Sequence, residues 1–257
     1  MNLDVLIIQV LPHDIPLGIA LFLIVLSFFT SALTAAVGIG GGLLMLAAMA
    51  SVLPTPLVIP THGAIQFGSN IGRATLMRRH VIWIYLWPFL IGSIIGAYAG
   101  ARLFISLPVT LLQVILGLFI LIIVWAPKLT PHKINRVGFF FVGVGASFST
   151  MFIGATGPLV AVFLPPERFG KHGTVATHAT FTAIQHLTKV IAFSTLGFAY
   201  WDWLPLLAVM IFMGFLGTNL GNHILNRLPQ RAFAYSFKVI LTLLAMNLLW
   251  EAARNLI

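Results

Sequence analysis

The sequence predicts an all-α integral membrane protein. Of its 257 residues, 60% are hydrophobic and only 7% are charged, whereas a soluble domain carries about 25% charged residues. A chain with so few charges cannot cover its surface in water, so the lipid bilayer is its expected solvent. Its apolar stretches are long and continuous, whereas the strands of a transmembrane barrel alternate in character, and this difference favours helices.

The charges and the missing cysteines exclude several classes of protein. The net charge of +9 is distributed over short basic clusters between apolar segments, which is typical of the loops of an inner-membrane protein and not of a nucleic-acid-binding patch. The absence of cysteine excludes disulfides, thiolate metal sites and a cysteine nucleophile. We therefore expect no cofactor and no nucleic-acid partner. The N-terminal stretch lacks a basic n-region and a small-residue cleavage site, so no signal peptide is expected.

The apolar runs, compared with a spanning length of about 20 residues, predict about ten transmembrane segments, or eight to ten if the shortest do not cross. The second and seventh are short and follow glycine-rich breaks, and the third and eighth are polar. In chain order they are 16–37, 41–53, 56–77, 81–105, 109–126, 137–153, 158–166, 173–199, 203–225 and 231–254.

Residues of the first half of the chain recur in the second half at a fixed offset, which increases once because of a short insertion. The matches are Ser31 with Ser147, Gly38 with Gly154, Gly41 with Gly157, Thr61-His62 with Thr177-His178, Arg73 with Lys189, Gly96 with Gly217, and Gly100 with Gly221. Such an ordered series indicates an internal duplication with five segments in each half. We assign residues 1–126 to a first transmembrane repeat, 127–136 to a cytoplasmic linker and 137–257 to a second repeat.

Basic residues predict the orientation. Basic loops alternate along the chain with loops whose one charge is Asp202. The basic loops carry Arg78-Arg79, Lys128 to Arg136, Arg168 to Lys171 and Arg227 to Arg231. The positive-inside rule places the basic loops in the cytoplasm. Because each half has an odd number of segments, the halves are inverted relative to each other. Inverted repeats are common in secondary transporters, which bind substrate near the membrane midplane at the repeat interface.

Segments three and eight are too polar to face lipid, and each has one polar helical face. The faces carry His62, Gln66, Asn70 and Arg73, and then His178, Thr182, His186 and Lys189, with Gln185 beside them. They offer donors, imidazoles and one cation each, while all five acidic residues fall at predicted segment ends. An interior rich in donors and free of carboxylates favours an anion. Interhelical packing is the competing interpretation, and Arg73 is expected to extend to the inner surface.

The glycine stretch GIGGG, from Gly38 to Gly42, predicts a tight break that begins a short helix. It lacks the third glycine of a nucleotide fingerprint and a following Lys-Ser/Thr. Its repeat GATGP ends in Pro158, which suits a first helical turn. Free N–H groups and the positive dipole end at such a start bind anions, and a plain helix–helix turn is the alternative. Other glycines, at 92, 96, 100, 214, 217 and 221, predict close helix packing.

The candidate substrate site combines these breaks with the polar faces. Its residues are Gly38, Gly40, Gly41, Gly42, Thr61, His62, Gln66, Asn70, Gly154, Thr156, Gly157, Thr177, His178, Gln185, His186 and Lys189.

These motifs resemble the sulfite exporter TauE/SafE family of membrane permeases. The resemblance rests on GIGGG at 38–42, on Thr-His at 61–62 and 177–178, and on the glycine-rich stretch 92–103 with its echo at 214–225. It extends from about Leu17 to Leu249, although the family pattern usually has Thr-Ser where this chain has Thr-His. The resemblance implies export of sulfite, sulfoacetate or a related organosulfur anion, without ATP hydrolysis by the protein itself.

The sequence therefore predicts a transporter, and not an enzyme, that moves a small oxyanion across the bacterial inner membrane by alternating access. Its expected partners are the anion and the lipid bilayer, and a homodimer is compatible with the sequence. Histidine titration near neutral pH offers a route to proton coupling. Two other functions stay open: an anion channel of the same fold, and a redox protein that binds haem through His178 and His186. Those two histidines lie on one helical face, whereas ligands on opposite haem faces need different helices.

Overall fold

The computed structural model describes residues 12, 15–37, 40–125, 134–224 and 230–255. Within these ranges the predicted all-helical class is confirmed, and ten α-helices follow one another. They are α1 Leu17–Val37, α2 Gly41–Val52, α3 Thr55–Leu76, α4 Leu86–Phe104, α5 Val109–Trp125, α6 Arg136–Ile153, α7 Gly157–Ala161, α8 Pro166–Thr195, α9 Tyr200–Ile224 and α10 Gln230–Arg254. Two short 3-10 turns join α3 to α4. Gly38 and most of the predicted linker lie outside the described residues.

The predicted seventh segment, 158–166, is wrong in length. Helix α7 has only 5 residues and ends at Ala161, which gives it a length of about 7.5 Å at 1.5 Å per residue. The cause is the pair Pro165-Pro166. A residue that precedes proline is disfavoured in the helical conformation, so the chain leaves the helix before it reaches the pair.

The predicted eighth segment, 173–199, is wrong at both ends. Helix α8 begins at Pro166 and contains a kink at Gly170, whose φ of 69° and ψ of 157° are not helical. It ends at Thr195, where Gly197 has a φ of 93°. The Phe198 N–H donates to the Phe193 carbonyl at 2.9 Å, a bond that belongs to the Schellman motif. A glycine in the left-handed conformation therefore stops this helix before the position that hydropathy predicted.

The helices pack in pairs that draw on both halves of the chain. The first helix of each group of five contacts the fourth helix of the other group: α1 packs on α9, and α4 packs on α6. The third helices, α3 and α8, contact each other, as do the fifth helices, α5 and α10. Further contacts join α4 to α8 and α9 to α3. The polar helices α3 and α8 thus lie between the two apolar pairs.

Four helical stretches of the described chain are long and apolar enough to cross a membrane. They are Leu17–Ala35, Trp83–Phe104, Arg136–Ile153 and Tyr200–Gly221. Only 28% to 39% of each is buried inside the protein, and large apolar side chains such as Phe29 of α1 and Phe141 of α6 face outward. Exposed apolar surface of this kind is typical of contacts with a membrane or with another protein. The four stretches are therefore candidate membrane spans.

Glycines bring the members of each apolar pair into close backbone contact. A methyl group added to Gly96 of α4 would overlap the carbonyl oxygen of Val144 in α6. In the other pair, a methyl group on Gly217 of α9 would overlap the carbonyl oxygen of Phe28 in α1. Small residues allow such close approach between membrane helices. The prediction that these glycines serve helix packing is confirmed at both positions.

Candidate functional site

The polar faces of α3 and α8 meet at the centre of the molecule. The Thr182 hydroxyl of α8 donates to Asn70 Oδ1 of α3 at 3.1 Å. Asn70 in turn donates from Nδ2 to the backbone carbonyl of Gln66 at 2.8 Å. Thr182 and Asn70 are both buried. The structure therefore brings together the two faces that the sequence places on separate segments.

His62 and His178 make equivalent hydrogen bonds at the starts of the two short helices. His62 Nε2 lies 2.9 Å from the Gly42 carbonyl oxygen, and His178 Nε2 lies 2.9 Å from the Gly157 carbonyl oxygen. Because a carbonyl oxygen only accepts, Nε2 carries the hydrogen in both rings. Each ring thereby ties the first turn of a short helix to the long helix that follows it.

Lys189 is a fully buried ionisable residue, with 0% of its surface exposed. Its Nζ donates to the Gly154 carbonyl oxygen at 2.8 Å, and Thr150 donates to the same oxygen at 3.1 Å. The stem of Lys189 packs against Gly63. The acidic residues within the described ranges, Glu167, Asp202 and Glu251, all lie near helix ends. No carboxylate of the described chain is therefore available to neutralise a charge on Lys189.

Imidazole and amide groups surround Lys189. The His62 and His186 rings meet edge to face, with centroids 5.9 Å apart. The Nδ1 atoms of these two rings are buried and have no hydrogen-bond partner. Gln185 Nε2 donates to the Thr156 hydroxyl at 3.1 Å. The result is a buried polar cluster, formed by His62, His186, Gln185, Thr156 and Lys189, that has unused hydrogen-bonding capacity.

The glycines predicted for the site line the starts of α2 and α7. Gly40 has a φ of 116° and precedes the first residue of α2, Gly41. The Gln66 amide lies against Gly42, and the His178 ring lies against Gly157. The prediction for Gly38 falls outside the described residues.

The hydroxyls of Thr61 and Thr177 are engaged away from the buried polar cluster. Thr61 donates to the Leu57 carbonyl of its own helix at 2.6 Å. Thr177 accepts from the backbone N–H of Ile82, in the connection between α3 and α4, at 3.0 Å. Sequence reasoning missed Thr150, which holds the Gly154 carbonyl. Its repeat partner Thr34 was the signal that could have found it.

A family model described as Sulfite exporter TauE/SafE matches residues 23–248 of the chain. The chain belongs to this family. The resemblance seen in the sequence is confirmed, since the match covers most of the chain. No curated protein and no solved structure matches the chain.

Membership in the TauE/SafE family implies a membrane exporter of sulfite or a related organosulfur anion. The family is one of transporters and not of enzymes. The region matched by the TauE/SafE model contains the whole buried polar cluster and both short helices. The candidate site therefore lies within the part of the chain that matches the family.

Proposed function

We propose that this protein is a secondary transporter that exports a small sulfur oxyanion, such as sulfite or an organosulfonate, across the bacterial inner membrane by alternating access. The observation that carries the proposal is the burial of the ionisable Lys189, which has no carboxylate of the described chain beside it. Removing an ion from water costs several kcal/mol, and ionisable groups at this depth usually serve a function. An anionic substrate compensates the charge.

The proposed architecture consists of two inverted five-helix repeats, 1–126 and 137–257, joined by the linker 127–136. It is supported by the packing of α1 on α9, α4 on α6, α3 on α8 and α5 on α10. Exchanging α1 with α6, α3 with α8, α4 with α9 and α5 with α10 gives the same set of pairs. A pseudo-twofold axis then passes between α3 and α8, and the substrate binds at that interface.

In the proposed site, Lys189 exchanges the Gly154 carbonyl for a substrate oxygen. The first N–H groups of a helix have no acceptor within the helix, so those of Gly40 to Gly42 and of Thr156 and Gly157 are available as further donors. His62 and His178 position these two helix starts through their hydrogen bonds to backbone carbonyls. The side chains of Gln66, Asn70, Gln185 and His186 complete the polar lining.

The proposal is tested by flux measurements with the purified protein in liposomes. Sulfite, thiosulfate, sulfoacetate and taurine are compared as substrates, with protein-free liposomes as the control. We expect saturable flux of sulfite or sulfoacetate that follows a proton gradient or a substrate counter-gradient. Flux that does not saturate would instead identify an anion channel. Flux equal to the protein-free control for every anion would contradict the proposal.

The hydrogen bonds of His62 and His178 provide a second test. Replacing both histidines with alanine removes the link between each short helix and the long helix that follows it. We expect anion flux to fall to the background and the melting temperature to fall as well, because each carbonyl oxygen left without its donor costs about 1–3 kcal/mol and the missing His62 ring leaves a cavity. Flux and thermal unfolding are measured on the same preparations.

The matched control for the histidine variant is His172→Ala. His172 is exposed, and its ring lies 5.2 Å from the ring of His80 and away from the buried polar cluster. This variant should transport as the unmodified protein does. Unchanged flux in the double alanine variant would overturn the roles assigned to His62 and His178.

A further inference from the structure

A groove lies between α3 and α9, apart from the buried polar cluster. Its lining includes Ser69, Gly72 and Arg73 of α3 and Phe215, Thr218 and Asn219 of α9. A methyl group added to Gly72 would meet no atom within 4 Å, and the cavity volume of the groove is about 30 Å³, enough for about one or two water molecules. Its polar groups are hydroxyls, an amide and a guanidinium, and it has no acidic residue in its lining.

Arg73 has an unused donor in this groove. Its Nη2 atom is buried and has no hydrogen-bond partner. A guanidinium is always charged in proteins and only donates hydrogen bonds, so a buried nitrogen without an acceptor is costly. An oxyanion supplies acceptors for such a donor, and guanidinium–oxyanion pairs are frequently bidentate. The groove therefore has the chemistry of an anion site.

The two ends of the central helix pair differ in exposure. Arg73 is the repeat partner of Lys189, and His178 is the repeat partner of His62. Lys189 and His62 are both 0% exposed, whereas Arg73 and His178 are only half-buried. The end that holds Lys189 is thus closed, and the end that holds Arg73 is open to the groove.

The open end faces the cytoplasm in the proposed topology. Arg73 lies in the last turn of α3, shortly before the exposed residues Arg78 and Arg79. The positive-inside rule places those two arginines in the cytoplasm. The helix that forms the other wall, α9, approaches the same side at its C-terminal end.

We infer that the groove between α3 and α9 is the cytoplasmic entrance for the anion, and that Arg73 binds the anion there first. Lys189 then lies on the sealed route to the outside, and the groove widens to admit the anion. This inference rests on the proposed function and extends it by naming the entrance and its ligand. Sulfite and sulfonates suit it because their oxygens accept two parallel hydrogen bonds from one guanidinium.

The missing cysteines make the entrance directly testable. The variant Ser69→Cys carries a single thiol in the groove, and its reaction with a membrane-impermeant thiol reagent is followed in inside-out and right-side-out vesicles. We expect labelling from the cytoplasmic side only. Methanesulfonate and sulfoacetate serve as probes, because they do not consume the reagent as sulfite would, and we expect one or both to slow the labelling.

Variants at Arg73 then assign the protection to its guanidinium. In the double variant Ser69→Cys/Arg73→Gln, we expect the sulfonate concentration that halves the rate of thiol labelling to be at least about tenfold higher than in Ser69→Cys. The reason is that a hydrogen bond to a charged group contributes about 1.5–3 kcal/mol. Arg73→Lys keeps the charge and should retain part of the protection. Arg102→Gln is the matched control, because Arg102 is exposed on α4 and bonds to Tyr98 at 2.6 Å.

Flux through the Ser69→Cys protein, measured in liposomes, separates this inference from the proposed function. Absence of flux in both Ser69→Cys and the unmodified protein would overturn the transport function itself. If Ser69→Cys transports sulfite, the inference is overturned when its thiol is not labelled from the cytoplasmic side. It is equally overturned when neither sulfonate slows labelling of the thiol. It is also overturned when the sulfonates protect Ser69→Cys/Arg73→Gln as strongly as they protect Ser69→Cys alone. If Arg73→Gln does not fold, weakened protection in a folded Arg73→Lys protein supports the guanidinium, and undiminished protection opposes it.

Discussion

Replacing Lys189 with methionine is expected to abolish anion flux while the protein still folds. A charged hydrogen bond to the substrate contributes about 1.5–3 kcal/mol, so its loss lowers flux at least about tenfold. Methionine has a similar length and fills the space beside Gly63 that the lysine stem now occupies. Because burying an unpaired charge is costly, the thermal stability of this variant should stay the same or rise. Flux in liposomes and thermal unfolding in detergent measure the two effects separately.

Lys238→Met is the matched control for this experiment. Lys238 is exposed on α10, and its Nζ lies 5.1 Å from the ring centroid of Trp125. The same chemical change at this position should leave flux unchanged. Flux at the unmodified level in Lys189→Met would contradict the role of Lys189 in transport. A Lys189→Met protein that does not fold would instead assign the lysine to packing, through its bond to the Gly154 carbonyl.

Replacing Gly96 with alanine is expected to cause a large loss of folded protein. The added methyl group would overlap the Val144 carbonyl oxygen and lie 2.9 Å from the Phe148 backbone nitrogen. Both neighbours are backbone atoms of α6, which cannot rotate away as a side chain can. Overpacking typically costs about 1–3 kcal/mol, and more when helices must move apart. The yield of monodisperse protein and its melting temperature measure the effect.

Gly145→Ala offers the control within the same helix pair. Gly145 lies on α6, and a methyl group there would meet no atom within 4 Å. Alanine is about 1 kcal/mol better than glycine in a helix, so this variant should be as stable as the parent or more stable. Gly217→Ala should resemble Gly96→Ala, because its methyl group would overlap the Phe28 carbonyl oxygen. Equal tolerance of alanine at positions 96 and 145 would contradict the close contact of α4 with α6.

Most helix bounds follow from the sequence because long apolar runs must be helical in lipid, where backbone groups find no water. The errors occur where local backbone preferences outweigh hydropathy. Pro165-Pro166 ends α7 early, and Gly197 stops α8 although the apolar run continues. These are signals that the sequence contains but that a count of apolar residues ignores.

Part of the candidate site could likewise be predicted from the sequence, and part of it only from the structure. The repeat predicts that His62 corresponds to His178 and that Arg73 corresponds to Lys189, because duplicated residues keep their spacing along the chain. It could not determine that both histidines donate to backbone carbonyls, since Gly42 and Gly157 reach them only after the short helices fold back.

The sequence by itself predicted the helical membrane class and an internal duplication, and it determined the acid-free composition of the polar faces. Only the tertiary structure decided that Lys189 is sealed while its repeat partner Arg73 borders an open groove. Equivalent residues in a duplicated sequence are chemically alike, but their exposure depends on how neighbouring helices pack around them. That packing places α9 beside one end of the central pair and leaves open the groove that Arg73 lines.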